Sequence, residues 1–266
     1  MVYYFNPKEI TLKFAASAQA KSNYPLAKFC ILAILGGAFI AFGGLLTIIV
    51  AGGMPNVAIE NPGLVKFMAG ALFPIGLIMV SMTGADLFTS DCAAFTLSGY
   101  KRELRLATII KYLLLSYVFN FIGAQLVSYL FAHQTGIIQS EPWIGYLHDL
   151  ANHKTSSDFW TVFIKGVGAN WLVCLGMFMG IAGKDIMGRC IGIWIPVMLF
   201  VALGFEHSIA NMFFIPTAIY TGADISWTTF IQSNLLPATL GNFVGGAGLV
   251  GMCYAYLFLK DDKSVQ

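Results

Sequence analysis

Six apolar stretches, near residues 27–50, 64–97, 106–131, 159–182, 187–220 and 235–259, alternate with short polar segments along the chain. Each is long enough to cross a hydrocarbon core, which takes about 20 apolar residues. The second and fifth are too long for one straight crossing, and each is interrupted by polar residues. Thr83-Gly84-Ala85-Asp86, continuing to Asp91, breaks the second, and Gly204-Phe205-Glu206-His207-Ser208, continuing to Asn211, breaks the fifth. A helix, a loop and a half-helix are predicted for both. The expected fold is an all-α integral membrane protein of six transmembrane helices, with the second and fifth broken.

Spans one to three and four to six each carry the break in their middle member. Gly84-Ala85-Asp86 and Gly204-Phe205-Glu206 share a Gly-x-acid opening 120 residues apart. Three spans per half force the second half to be inverted relative to the first. Inverted repeats with paired broken helices point to a permeation site near the bilayer midplane. Other identity between the halves is slight, so the repeat is read from pattern. Gly36, Gly37, Gly43, Gly44, Gly241, Gly245, Gly246, Gly248 and Gly251 permit close approach of helices in lipid, within one subunit or between subunits.

Composition agrees with a membrane protein: 58% of residues are hydrophobic and 11% charged, against about 25% charged in soluble domains. The net charge of +2 and the lack of a basic tract exclude a nucleic-acid partner. Five cysteines show no CxxC spacing and read as small core residues, so neither a metal nor a cofactor is expected. Residues 1–25 lack the apolar region of a signal peptide. Asn6-Pro7-Lys8-Glu9 instead reads as a capped helix start, and Ile10, Phe14 and Ala18 form a modest apolar stripe. A short amphipathic helix lying on the membrane or under the protein is expected. Twelve of the 15 Lys and Arg residues fall on the side of both termini, leaving Lys66, Lys154 and Lys165 opposite. Both termini are therefore expected in the cytoplasm, with residues 260–266 as a cytoplasmic tail.

Ionisable groups at bilayer depth cost roughly 2.5 kcal/mol or more, so they usually face a cavity or pathway. His207 is the leading candidate, because imidazole can donate, accept and change charge near neutrality. Asp86, Asp91, Glu206, Ser208 and Asn211 are the nearest groups able to satisfy backbone freed by the breaks, and read as braces. Phe73 and Phe200 read as ordinary core. Lys154 lies in a polar segment with His148, Asp149, His153 and Asp158, read as a solvated loop because no HxxxH pair is present. Lys165 is expected to snorkel outward.

Three motifs carry a family resemblance. Met82-Thr83-Gly84-Ala85-Asp86-Leu87-Phe88-Thr89-Ser90 and Gly166-Val167-Gly168-Ala169-Asn170-Trp171-Leu172-Val173-Cys174-Leu175 resemble two signatures of the formate/nitrite transporter family. Gly204 to Met212 resembles that family's fifth-helix break, supported by Leu236-Pro237 and Leu240-Gly241-Asn242. Gly176 departs from the usual Ala. The resemblance covers about residues 26–259, expected to form the channel domain. It implies an aquaporin-like fold, a homopentamer with one pore per subunit, and passage of small weak-acid anions across the cytoplasmic cell membrane. Formate leads, with nitrite or hydrosulfide next and lactate or acetate in some members. It further implies that His207 is the central pore histidine and Thr89 its hydrogen-bond partner. Phe73, Leu77, Leu87, Phe88 and Phe200 would be constriction residues, and Lys154 the vestibule lysine. Glu206, Asn170 and Asn242 would brace the break, since a free carboxylate would repel an anion.

The mechanism expected is concentration of anions by Lys154, exclusion of hydrated charge by the constrictions, and proton-assisted passage at His207 and Thr89. An intramembrane enzyme using His207 with Glu206 or Ser208 is a rival without a supporting GxSxG or HExxH motif. A neutral-solute channel would need two Asn-Pro-Ala boxes, which the chain lacks. Sodium-driven transport lacks a carboxylate signature.

Overall fold

The computed structural model describes residues 4–260, so most of the expected C-terminal tail lies outside the described residues. Ten helices matter here: α1 (Pro7–Ser22), α2 (Leu26–Gly52), α3 (Pro62–Thr83), α4 (Phe88–Tyr100), α5 (Leu106–Gln134), α6 (Trp143–Ser156), α7 (Phe159–Ala182), α8 (Ile186–Ala202), α9 (Ser208–Tyr220) and α10 (Trp227–Leu259). Among the described residues an isolated bridge between Tyr4 and Gly183 is the only strand-like pairing. Helices α2, α3, α5, α7 and α10 are long and apolar enough to cross a membrane, and α8 and α9 are shorter apolar helices. The chain is a multi-pass membrane protein.

Asn6 Oδ1 accepts from the Glu9 amide (3.0 Å) and Glu9 Oε2 from the Asn6 amide (2.8 Å), with Pro7 in the first turn. This reciprocal cap starts α1. Ile10, Phe14 and Ala18 are buried, and α1 packs beneath α4 and α7, on the protein itself. Helix α6 occupies the segment expected to be a loop around Lys154. Its buried Leu147, Ala151 and Lys154 recur at helical spacing, which a search for long apolar runs does not register. Helix α10 begins eight residues before its apolar run, where Ser226 accepts from the Thr229 amide (3.0 Å). Helices α5 and α10 contain π-helical turns, at Val127–Gln134 and at Phe230–Leu235 and Val244–Met252.

The order α2, α3–α4, α5 recurs as α7, α8–α9, α10. Helix α2 packs most heavily on α5, and α7 on α10. Helix α1 packs on α4 just as α6 packs on α9. Each half thus comprises a short preceding helix, a long helix, a broken pair and a long helix. Glycines make the close contacts within the chain: a Cβ on Gly36 would lie 1.8 Å from the Asp86 carbonyl oxygen, so the first broken loop rests directly on α2.

Candidate functional site

Both breaks open on a left-handed glycine. Gly84 has φ 76° after α3, and Gly204 has φ 70° after α8. Other residues rarely adopt this conformation, which turns the chain out of the helix. The backbone freed by each turn is held by one asparagine of the last long helix in that half. Asn242 Oδ1 accepts from the Ser208 amide (2.8 Å), and its Nδ2 donates to the Glu206 and Gly166 carbonyls (both 2.8 Å). Asn120 Oδ1 accepts from the Phe88 amide (2.9 Å), and its Nδ2 donates to the Asp86 and Ala33 carbonyls (2.9 and 2.7 Å). The two asparagines perform the same task on repeat-related backbone. Asn170 adds a bridge, donating to the Thr89 and Asn242 carbonyls (3.0 and 2.6 Å).

The acid of each break binds a lysine from the short helix preceding its half. Glu206 Oε2 accepts from Lys154 Nζ (3.0 Å), Asn211 Nδ2 (2.6 Å) and Asn234 Nδ2 (3.1 Å). Asn170 and Asn242 therefore brace backbone, while the Glu206 carboxylate is held by Lys154, Asn211 and Asn234. In the other half, Lys21 Nζ binds Asp86 (2.6 Å) and Asp91 (2.5 Å). Burial opposes the Lys21 charge, but the adjoining carboxylates outweigh it and hold its pKa above the ordinary lysine value. Asp91 and Asn211 occupy repeat-related positions, so the first cluster carries one more carboxylate than the second.

His207 caps α9. Its Nδ1 accepts from the Ala210 amide (3.1 Å), and its Nε2 lies 3.0 Å from Thr89 Oγ1. A neutral imidazole carries one N–H, so an Nδ1 that accepts leaves the proton on Nε2. Nε2 therefore donates to Thr89, and the Thr89 hydroxyl proton is left for another acceptor. Protonating Nδ1 would set two N–H groups against each other and remove the cap. The Ser208 hydroxyl is buried without a hydrogen-bond partner, so it makes no bond to the His207 ring.

Two cavities approach this pair from opposite ends. The first, of about 440 Å³, reaches His207 through a collar of Phe73, Phe200 and Phe214. The Phe73 ring lies 5.9 Å from Phe200 and 6.4 Å from Phe214, and Phe200 stacks on His207 at 5.7 Å. Lys66, Lys154 and Lys165 also line it. The second, of about 330 Å³, is lined by Lys21, Val80, Gly84, Ala85 and Asp86. Helix α3 runs from the first cavity at Phe73 to the second at Val80, about 10 Å at 1.5 Å per residue. Gly84 lies in the second cavity and Gly204 in the first, as two oppositely directed repeats require.

Leu77 and Leu87 are fully buried and line neither cavity, leaving apolar side chains between the two. Phe88 differs from its expected place. Its ring packs edge-on against Tyr117 (4.9 Å) and lines an apolar groove with α5 and α10. Lys154 differs from the solvated loop expected of its segment: it is a buried helix residue that lines the first cavity, and its charge is met by Glu206. The sequence reading missed Asn120, Asn234 and the Lys21 contacts. Asn120 lies in an apolar run 122 residues before Asn242 in the matching run of the other half, the signal that could have found it. Among the described residues no His, Cys, Asp and Glu cluster could hold a metal ion.

A model of the family described as "Formate/nitrite transporter" matches residues 8–256. The chain is 42% identical over 270 residues to a probable formate transporter of Methanothermobacter thermautotrophicus, covering 96% of this chain and 98% of that one. A solved pentameric formate channel with formate bound is 30% identical, with TM-score 0.75 over 88% of this chain and 98% of its own. An FNT family ion channel is 27% identical, with TM-score 0.86 over 94% and 98% of the two chains. These proteins are transporters and channels, not enzymes, which removes the intramembrane-enzyme reading.

Proposed function

The chain belongs to the formate/nitrite transporter family, and on that premise we propose that it passes formate across the cytoplasmic membrane. Nitrite and hydrosulfide, small monovalent anions of weak acids, are alternatives that would use the same path. Similarity to a pentameric channel with formate bound supports one pore per subunit of a homopentamer. The twelve-to-three distribution of basic residues supports six spans with both termini inside, so the Lys154 cavity opens outward and the Lys21 cavity inward.

One observation carries the reading: two cavities are separated by an apolar plug of about 10 Å that holds one polar pair, His207 and Thr89. Stripping water from a lone anion costs far more than stripping it from the neutral acid. The plug therefore rejects formate as a hydrated charge and admits it as the neutral acid, the proton coming from water in the outer cavity and returning to water on the other side. His207 acts as a fixed neutral group, because its Nδ1 is committed to the α9 cap. Its Nε2–H polarises Thr89, whose hydroxyl donates to the passing carboxyl. Phe73, Phe200 and Phe214 form the outer constriction, with Leu77 and Leu87 in the plug. Lys66 and Lys165 line the outer cavity without a carboxylate partner among the described residues, and supply the field that draws anions to it. Glu206, Asn170 and Asn242, with Lys154, keep the break in shape.

Flux of formate, nitrite, hydrosulfide and lactate into proteoliposomes tests the proposal. Formate is expected to enter fastest and lactate slowest. Formate entry no faster than into protein-free vesicles would refute it.

A further inference from the structure

The inward cavity contains a cation that neither the brace nor the plug uses. Arg189, the fourth residue of α8, is half-buried and lines that cavity with Lys21, Ser81, Asp86 and Ser90. Its Nε is buried and has no hydrogen-bond partner. Lys21 is shared between Asp86 and Asp91. Asp185, one turn before Arg189, is exposed and accepts from the Gly188 amide (2.8 Å) as the α8 cap. No ion pair joins an acid to Arg189 among the described residues. The repeat-related position in the other half is Ala69, which lines the other cavity, so the architecture itself does not require a guanidinium here.

An ionised N–H withdrawn from water is costly unless it meets an acceptor. A guanidinium presents Nε–H and an Nη–H side by side, a fork matching the two oxygens of a carboxylate, which an ammonium cannot reproduce. We propose that Arg189 is a binding site for a small two-oxygen anion at the inward mouth. It grips formate through this fork as the anion enters or leaves the plug. The inference rests on the reading that the chain passes formate. Lys21 is already engaged by Asp86 and Asp91, which leaves the Arg189 guanidinium to the anion. Selectivity there comes from the geometry of the fork, and nitrite should be accepted where chloride is not.

The chain has three arginines, Arg102, Arg105 and Arg189, so arginine labelled with 15N at Nε gives few signals. Arg102→Lys and Arg105→Lys assign that of Arg189 by elimination. In reconstituted wild-type protein, formate and nitrite should shift the Arg189 Nε signal saturably, and chloride at the same concentration should not. Flux supplies a second readout, on variants that elute as the wild-type oligomer. Both Arg189→Gln and Arg189→Lys should raise the half-saturating formate concentration about tenfold, the loss of one charge-assisted bond. Arg189→Lys behaving as wild type would make Arg189 a mere counter-charge and overturn the proposal. An Arg189 signal indifferent to formate, in vesicles that do take up formate, would overturn it too. Wild-type vesicles that take up no formate would instead refute the functional reading.

Discussion

Glu206→Ala should be the most damaging change in the second break, and Lys154→Met should rescue it. The Lys154 and Glu206 side chains are 10% and 4% exposed, and the ammonium meets the carboxylate at 3.0 Å. Removing the carboxylate strands a buried charge, at about 3–5 kcal/mol. The two amides that also bind Glu206 lose little: Asn211 Nδ2 keeps Asn234 Oδ1 and Asn234 Nδ2 keeps the Lys154 carbonyl. Nearly all the cost is therefore the unpaired lysine. Lys154→Met alone strands the carboxylate but leaves it two amide donors, so its cost falls at the lower end of the same range. Replacing both removes the charges together, which is often close to neutral. The assay is thermal unfolding of the detergent-solubilised oligomer for both single variants and the double. The double variant should be more stable than either single, with a coupling of about 3 kcal/mol. A double variant that falls by the sum of the singles would refute a paired, structural role for Lys154.

Asn120→Ala should strand the Phe88 amide and the Asp86 carbonyl in the break, at about 1–3 kcal/mol for each group left unmet. It should lower the unfolding midpoint about as much as Asn242→Ala; an unchanged midpoint would separate the two breaks. Lys66→Gln with Lys165→Gln should slow formate entry at low ionic strength and recover at high salt, where the field is screened; equal slowing at both would contradict a role through charge. Asp158 caps α7, and its carboxyl is held below the usual value by the Thr161 hydroxyl and the Thr161 and Trp160 amides. A lowered folded pKa means that this cap is complete above the ordinary Asp value of 3.8 and fades as pH falls through the folded value. Hydrogen-exchange protection in the first turn of α7 should hold from pH 7 to that region and drop only below it.

Much of this was legible in the chain because it is local. The reciprocal cap of Asn6 and Glu9, the glycines that end α3 and α8, and the apolar runs all lie within a few residues of what they determine. The contacts that hold the breaks are not local. Lys21 meets Asp91 across 70 positions and Lys154 meets Glu206 across 52, and no spacing rule predicts such pairs. Lys21, read only as a marker of sidedness, is the partner of two buried acids, and Lys154, read as an anion-drawing group, is the partner of a third. Phe88 shows a different limit. Its motif places it at a half-helix start, but the side of that helix it faces is set by α5 and α10, which hold it against Tyr117. The tautomer of His207 was also beyond reach, since it depends on the Ala210 amide turning back as α9 begins.

The most direct test of the account is the charge carried per formate, from flux and current recorded together across vesicles and a planar bilayer. If the plug passes the neutral acid beside a fixed, neutral His207, wild-type flux should be accompanied by proton uptake and by almost no current. His207→Asn, which keeps a neutral donor between the same apolar side chains, should keep the oligomer and likewise carry almost no current. One elementary charge per formate in wild type, unchanged in His207→Asn, would contradict the account.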